Sequence, residues 1–258
     1  MEFKNPPVTE IGLAFIFSDA AGDWLDTAQQ FHEKNQGVYP DINIEQNIQI
    51  DSSGLPQSAQ TGDIDIKATM SPSGVLLNNK RKTKYVCIRK NHFLVSILSG
   101  TPEETDIPRY RPIRKFAKEV YDELSQLWPI HGLKRIDLRY VDKINIPLEN
   151  GSVALSQYFN LPLEPENDSL LAVFKSDCQF WFVSPGEERM SLYLRIEQDN
   201  ETAAKLNVLP VQLTWNCSAF PEEEVDEKKV FTLIDKTNEY VERIFKLSLT
   251  DKTRDLFN

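Results

Sequence analysis

Ile136-Asp137-Leu138-Arg139-Tyr140-Val141-Asp142-Lys143-Ile144-Asn145-Ile146 alternates along its length. Successive side chains of an extended chain point to opposite sides, so the stretch reads as a strand with one buried face. It lies just past the middle of the 258 residues, and the order of elements around it decides the fold. After it come a short helix at Val153–Phe159 and one long strand, or a bent pair, at Leu170–Val183. Ser184-Pro185-Gly186-Glu187 then sets off a strand at Arg189–Glu197, and Leu206–Phe220 holds another with Pro210 near its start. Val230, Phe231, Ile234, Tyr240, Val241, Ile244, Phe245 and Leu247 predict a long closing helix. Asp226 is placed to cap it, and Glu222-Glu223-Glu224 suits the positive end of its dipole.

The same order precedes the opening stretch. Thr9–Phe17 alternates as a strand, and Ser18 or Asp19 is positioned to cap a helix with Trp24, Leu25, Ala28 and Phe31 on one face. Gly37 and Pro40 end that helix. Ile42, Ile44, Ile48 and Ile50 share one face of a strand, and residues 51–63 form a loop rich in Ser, Gly, Gln and Pro. Ile64–Met70, Gly74–Asn78, Tyr85–Ile88 and Phe93–Leu98 read as a meander, with a polar turn at Asn78–Lys82 and a bend at Asn91-His92. Pro102–Pro112 is a loop. Ile113, Phe116, Val120, Leu124 and Leu127 then mark a helix that Pro129 stops.

Each half therefore reads β-α-β(n)-α, dividing the chain into 1–131 and 132–258 as two α+β halves of one continuous unit. The expected fold is α+β: two pseudo-repeated halves, each an antiparallel sheet packed on a long helix. In its order of elements this resembles the TATA-box-binding-protein or helix-grip class, a likeness that does not fix function.

Net charge is −10 (29 basic, 39 acidic residues), which disfavours a general nucleic-acid binder, since phosphate contacts need a positive surface. The charge is uneven. Residues 80–143 carry fifteen Lys/Arg against eight Asp/Glu, giving +7 between acidic flanks. No apolar run approaches the ~20 residues of a membrane span, and the start lacks a signal-peptide pattern. Cys87, Cys178 and Cys217 are odd in number and widely separated, as buried thiols of a reducing compartment would be. A cytoplasmic protein with no membrane contact is expected.

Most routes to chemistry fail on spacing. His32, His92 and His131 sit apart from one another and from any Cys, so no metal site is expected and each His reads as exposed or in a turn. There is no G-x-S-x-G nucleophile turn and no glycine-rich phosphate loop, and Cys178 lies mid-strand among aromatics, where its thiol is inert. No cofactor and no catalytic residue are expected. Asp63 and Asp65, at i and i+2 on a strand, could hold metal ions as nucleotidyltransferases do, but Ser53-Gly54 is reversed and carried by no helix. Basic residues are concentrated at Lys80-Arg81-Lys82 and at Arg109-Tyr110-Arg111 with Arg114. These, with Arg139, are the candidate partner-binding residues. All four tryptophans, Trp24, Trp128, Trp181 and Trp215, read as core.

Asn5-Pro6-Pro7-Val8-Thr9-Glu10 and Leu133-Lys134-Arg135-Ile136-Asp137-Leu138-Arg139-Tyr140-Val141-Asp142-Lys143-Ile144 together resemble a sporadically distributed, uncharacterised prokaryotic family. Its members open on an N-P-P-x-x-E strand and carry an R-Y-x-N-like strand at mid-chain; this chain has Asp142 in place of the Asn. The resemblance covers the full length and carries no catalytic residues. It implies a mobile or defence-related gene. Physically, Pro6-Pro7 holds the lead-in to the first strand extended, and Arg139 and Tyr140 must point to opposite faces.

The resulting expectation is a non-enzymatic binding or regulatory subunit, of antitoxin, immunity or defence type, with a protein partner encoded nearby. A domain gripping a small apolar ligand, lined by the aromatic strand Phe174–Phe182, is the alternative. An enzyme built on Asp63 and Asp65 is the third.

Overall fold

A computed structural model describes residues 7–20, 23–51, 67–100, 107–128, 130–149, 153–161, 177–184, 189–198, 207–221 and 226–257. The fold is organised by the pairing of β1 (Val8–Ala20) with β6 (Ile130–Pro147). The two run antiparallel, with Ile11 opposite Tyr140, Leu13 opposite Leu138 and Phe15 opposite Ile136. Because both strands alternate, this register puts every one of those apolar side chains on the same face. Gly132, near the start of β6, has φ +62, and a Cβ there would run into Ser18 Oγ, so the position suits glycine.

From this central pair the sheet grows both ways. β5 (His92–Leu98) lies beside β1, followed by β4 (Lys84–Arg89), β3 (Lys67–Asn78) and β2 (Asp41–Asp51). Beyond β6 come β9 (Val208–Phe220), β8 (Arg189–Gln198) and β7 (Asp177–Val183). The expected pair of sheets, each packed on its own long helix, is therefore corrected. Among the described residues there is one nine-stranded antiparallel sheet, and strand outweighs helix. Of the four α-helices among the described residues, only α2 (Tyr110–Leu127) and α3 (Glu227–Ser248) are longer than the twelve residues of α1 (Trp24–Asn35), and α4 (Asp251–Asp255) is a single turn. The physical reason is the β1–β6 ladder: each strand satisfies the other's backbone groups, so the sheet continues through residues 131 and 132 without a break.

Local differences follow from pairing. β1 runs on to Ala20, opposite Ile130, so the cap of α1 falls to Asp23 and not to Ser18 or Asp19. Asp23 accepts from the amides of Leu25 and Asp26. α2 begins at Tyr110, inside the expected loop, because Pro112 sits in a first turn whose N–H groups need no helical partner. The two short strands before Asn78 join into β3 within the described residues, and a register shift opposite Glu45 and Gln46 accommodates Pro72. The helix at Val153–Phe159 reduces to one 3-10 turn at Leu155–Gln157. β7 is described from Asp177, and the expected loop at 52–63 lies outside the described residues. Asp226 caps α3 as expected, accepting from Lys229 N at 2.8 Å.

α1, α2 and α3 all lie on the face that carries Leu13 and Phe15. Phe15 is fully buried; it stacks on Phe93 with ring centroids 4.7 Å apart and touches Tyr121 of α2 and Phe231 of α3. Phe31, Tyr39 and Phe116 stack in series and tie α1 to α2. Trp215 of β9 meets Phe245 of α3 edge-on at 5.5 Å.

Candidate functional site

Between the start of α2 and the second half of α3, the helix-bearing face of the sheet is left as a cleft of about 560 Å³. Its floor comes from the central strands: Ile11 of β1, Tyr140 and Asp142 of β6, and Trp215 of β9. Val241 and Phe245 form an apolar wall, and Glu242 and Lys246 stand beside them on α3. Pro108 to Pro112 form the opposite lip.

Asp142 is the unusual group. It shares the parity of Ile136, Leu138 and Ile144, which places a carboxyl on the apolar face, 2% exposed. Oδ2 accepts from Trp215 Nε1 at 2.9 Å, while Oδ1 has no protein partner among the described residues. Burial pushes its pKa up from 3.8 to about 7, with the Trp215 hydrogen bond pulling the other way. Oδ1 is itself enclosed; up to about pH 7 burial favours the protonated carboxyl, whose proton sits on Oδ1, so this oxygen becomes an unpaired acceptor only once the group ionises.

The tyrosines of the cleft are held by relays. Tyr140 Oη donates to Asn238 Oδ1 at 2.5 Å, and Asn238 Nδ2 donates to Glu242 Oε1 at 3.0 Å. Burial, then the charges of Glu242 and Asp142, push the Tyr140 phenol well above its ordinary value, so it remains a neutral donor. Tyr110 Oη donates to Asp235 Oδ1 at 2.5 Å, and Arg114 grips the same carboxylate through Nε (2.6 Å) and Nη2 (2.9 Å). Burial works against the Asp235 charge, but the bonds from Arg114 and Tyr110 outweigh it and hold the carboxyl below its usual range. These contacts fasten the first turn of α2 to α3.

That first turn is itself unusual. Arg109 precedes the helix with no side-chain cap, and the turn contains no acidic residue. Arg109 and Arg111 are exposed and form no ion pair among the described residues. The positive end of the α2 dipole and two guanidinium groups thus occupy one lip of the cleft. None of the described lining side chains is Cys, Ser, Thr or His, so the site offers hydrogen bonds, charge and apolar surface.

The expected site residues separate into three places. Arg109, Tyr110 and Arg111 line the cleft, and Arg114 anchors Tyr110 one turn further on. Lys80, Arg81 and Lys82 form the exposed β3–β4 turn, where Lys82 takes φ 56. Arg139 points away from the cleft, exposed on the opposite face of the sheet. The basic middle does not add up to one patch: Arg89 pairs with Glu45, Arg114 with Asp235, and Lys118 with Asp122 and Glu227. Asp63 and Asp65 lie outside the described residues. Among the described residues no group of three His, Cys, Asp or Glu could hold a metal ion, and no helix is long and apolar enough to cross a membrane.

Other assignments change. Trp181 is 70% exposed, because its parity in β7 turns it to the open face while Phe180 and Phe182 lean on the core. Neither phenylalanine lines the cleft, whose rings are those of Tyr140, Trp215 and Phe245; of the expected lining strand Phe174–Phe182, residues 174–176 lie outside the described residues. His32 is half-buried within α1, and His92 is half-buried directly after the turn at Lys90-Asn91. Cys217 is fully buried and its thiol is pushed up to about 12, by burial and then by Asp137. On the open face, Trp181, Tyr193, Asn216, Arg139, Gly12, Ser96 and Tyr85 stand opposite one another in successive strands. Trp181 and Tyr193 are in ring contact at 4.8 Å.

Missed from sequence were Asp142 as a buried carboxyl and its partner Trp215. The signal was present: a carboxylate at an apolar position of an alternating strand. A search against models of known protein families finds no match, and neither does a search of curated proteins.

Proposed function

We propose that this protein is a non-enzymatic binding and regulatory protein that takes up a small molecule in the cleft between α2 and α3. The observation that carries the reading is the cleft itself, about 560 Å³ and of a size that suits a small ligand, with the buried carboxyl of Asp142 at its floor. Aromatic side chains beside it supply contact area, and the tyrosine relays keep the polar groups of the wall in fixed directions. The test is to purify the chain under native conditions, denature it, and identify released small molecules by mass spectrometry. A compound released in near-equal amount from the wild type, and lost from Trp215→Ala, is expected. Release of nothing, together with no compound of a metabolite panel raising the melting temperature, would count against the reading.

A second reading, a protein partner, is favoured by the open face. Arg139 stands exposed near the middle of the cross-strand row, with Trp181 at its end. This arrangement suits a protein surface that presents a carboxylate beside apolar side chains. Arg139→Glu combined with Trp181→Ala should abolish a complex with the product of an adjacent gene while leaving the cleft's ligand in place. A complex that survives both changes sinks this reading.

A further inference from the structure

The open face of the sheet has its charges matched, with one exception. Glu10 accepts from Tyr85 Oη and Ser96 Oγ, each at 3.1 Å. Glu45 pairs with Arg89 at 2.9 Å, Glu197 with Arg195 at 3.0 Å, and Asp137 with Arg135 at 3.0 Å. Arg139 stands exposed among them and forms no ion pair among the described residues. A guanidinium in this state calls for a carboxylate or a phosphate. A nucleic acid would bring one phosphate per nucleotide against the carboxylates of Glu10 and Asp137, so the charge balance of the face favours a single carboxylate.

The surroundings of Arg139 are symmetric. Trp181 lies three strands away on one side, across β9 and β8, and Tyr85 three strands away on the other, across β1 and β5. At the usual strand spacing each ring is about 14 Å from the centre. Gly12 and Ser96, both buried, keep the surface low between Arg139 and Tyr85. The backbone groups of these strands are already bonded to one another, so the face offers a partner side chains alone. A segment laid across it must satisfy its own backbone, as a helix does.

Resting on the reading of the open face as a partner surface, we propose that it receives an amphipathic helix of a partner protein, with one carboxylate at its centre and apolar side chains seven to eleven positions to either side. The carboxylate meets Arg139, and the apolar groups lie on Trp181 with Tyr193 at one end and on Tyr85 at the other. The spacing follows from about 14 Å at a rise of about 1.5 Å per residue, taken at the nearest positions on the same helical face.

The test is selection on the full chain from a displayed library of helical peptides of about twenty residues. The enriched peptides should share a central Asp or Glu, and should lose at least about tenfold in affinity to Arg139→Glu and to Trp181→Ala. Changing the central acid to Lys should restore binding to the Arg139→Glu variant. Both substituted side chains are exposed, so the core is left intact. Enrichment of nothing, enrichment without a central acid, or binding indifferent to Arg139→Glu overturns the helix assignment. So does an oligouridine that binds more tightly than the best peptide and loses affinity in Arg139→Glu. If the helix assignment falls while the complex with the adjacent gene's product is still lost in the double variant, the partner surface stands and its occupant is of another kind. If that complex survives as well, both fall.

Discussion

Asp142→Asn is expected to stabilise the protein above neutral pH relative to the wild type and to flatten its pH dependence. Burial lifts this carboxyl from 3.8 to about 7 in the folded chain. Between those values the folded chain holds a proton that the unfolded chain has released. The stability contributed by protonation is therefore complete below about pH 4 and is lost as pH rises through about 7. A difference of about three pKa units corresponds to roughly 4 kcal/mol. Asn cannot ionise, so the variant should gain on the wild type by a comparable amount between about pH 4 and pH 8. Urea unfolding at those two pH values measures it. A wild-type-to-variant difference that stays constant with pH would show that burial does not lift the pKa of this carboxyl.

The second large effect lies at the centre of the sheet. Phe15→Ala should cost about 3–5 kcal/mol, the range for removing a fully buried aromatic side chain. Its ring touches β5 through Phe93, α2 through Tyr121 and α3 through Phe231. The loss should therefore be felt on both sides of the β1–β6 seam. Far-ultraviolet dichroism and tryptophan fluorescence, the latter reporting on Trp128 and Trp215, should give one coincident midpoint, shifted together by the substitution. Two separated midpoints, with only one of them moved, would mean that the two sides of the sheet unfold independently.

Much of this architecture could be read from the letters, because strands with one buried face declare themselves by alternation. Thr9–Phe17, Ile136–Ile146 and the closing helix from Val230 are of this kind, as is Asp226 as a cap. What alternation does not reveal is which strands become neighbours. Two sheets and one sheet have the same order of elements, and only the β1–β6 ladder distinguishes them. Trp181 failed for a related reason: in Phe180-Trp181-Phe182 every residue is aromatic, so composition carries no parity, and the partner strand decides which ring faces outward. Arg109, Tyr110 and Arg111 were recognisable as a basic, aromatic cluster. Their meaning depended on Asp235, which is 125 residues from Tyr110, and on Asp142, which sequence pattern alone had marked only as a departure from a motif.

The order of strands also sets an order of events for the chain as it is made. β1 leaves the ribosome before both of its neighbours: β5 ends at Leu98, and β6 is complete only at Pro147. Once β5 has docked, β1 still presents an unpaired edge until some fifty further residues have been added, a wait of a few seconds at ordinary synthesis rates. During that interval the nascent half-sheet carries an open edge at what will be the centre of the finished molecule, the place where a second nascent copy would add most readily. The ladder that closes the sheet in the finished protein is thus also the step that ends its exposure to its own kind.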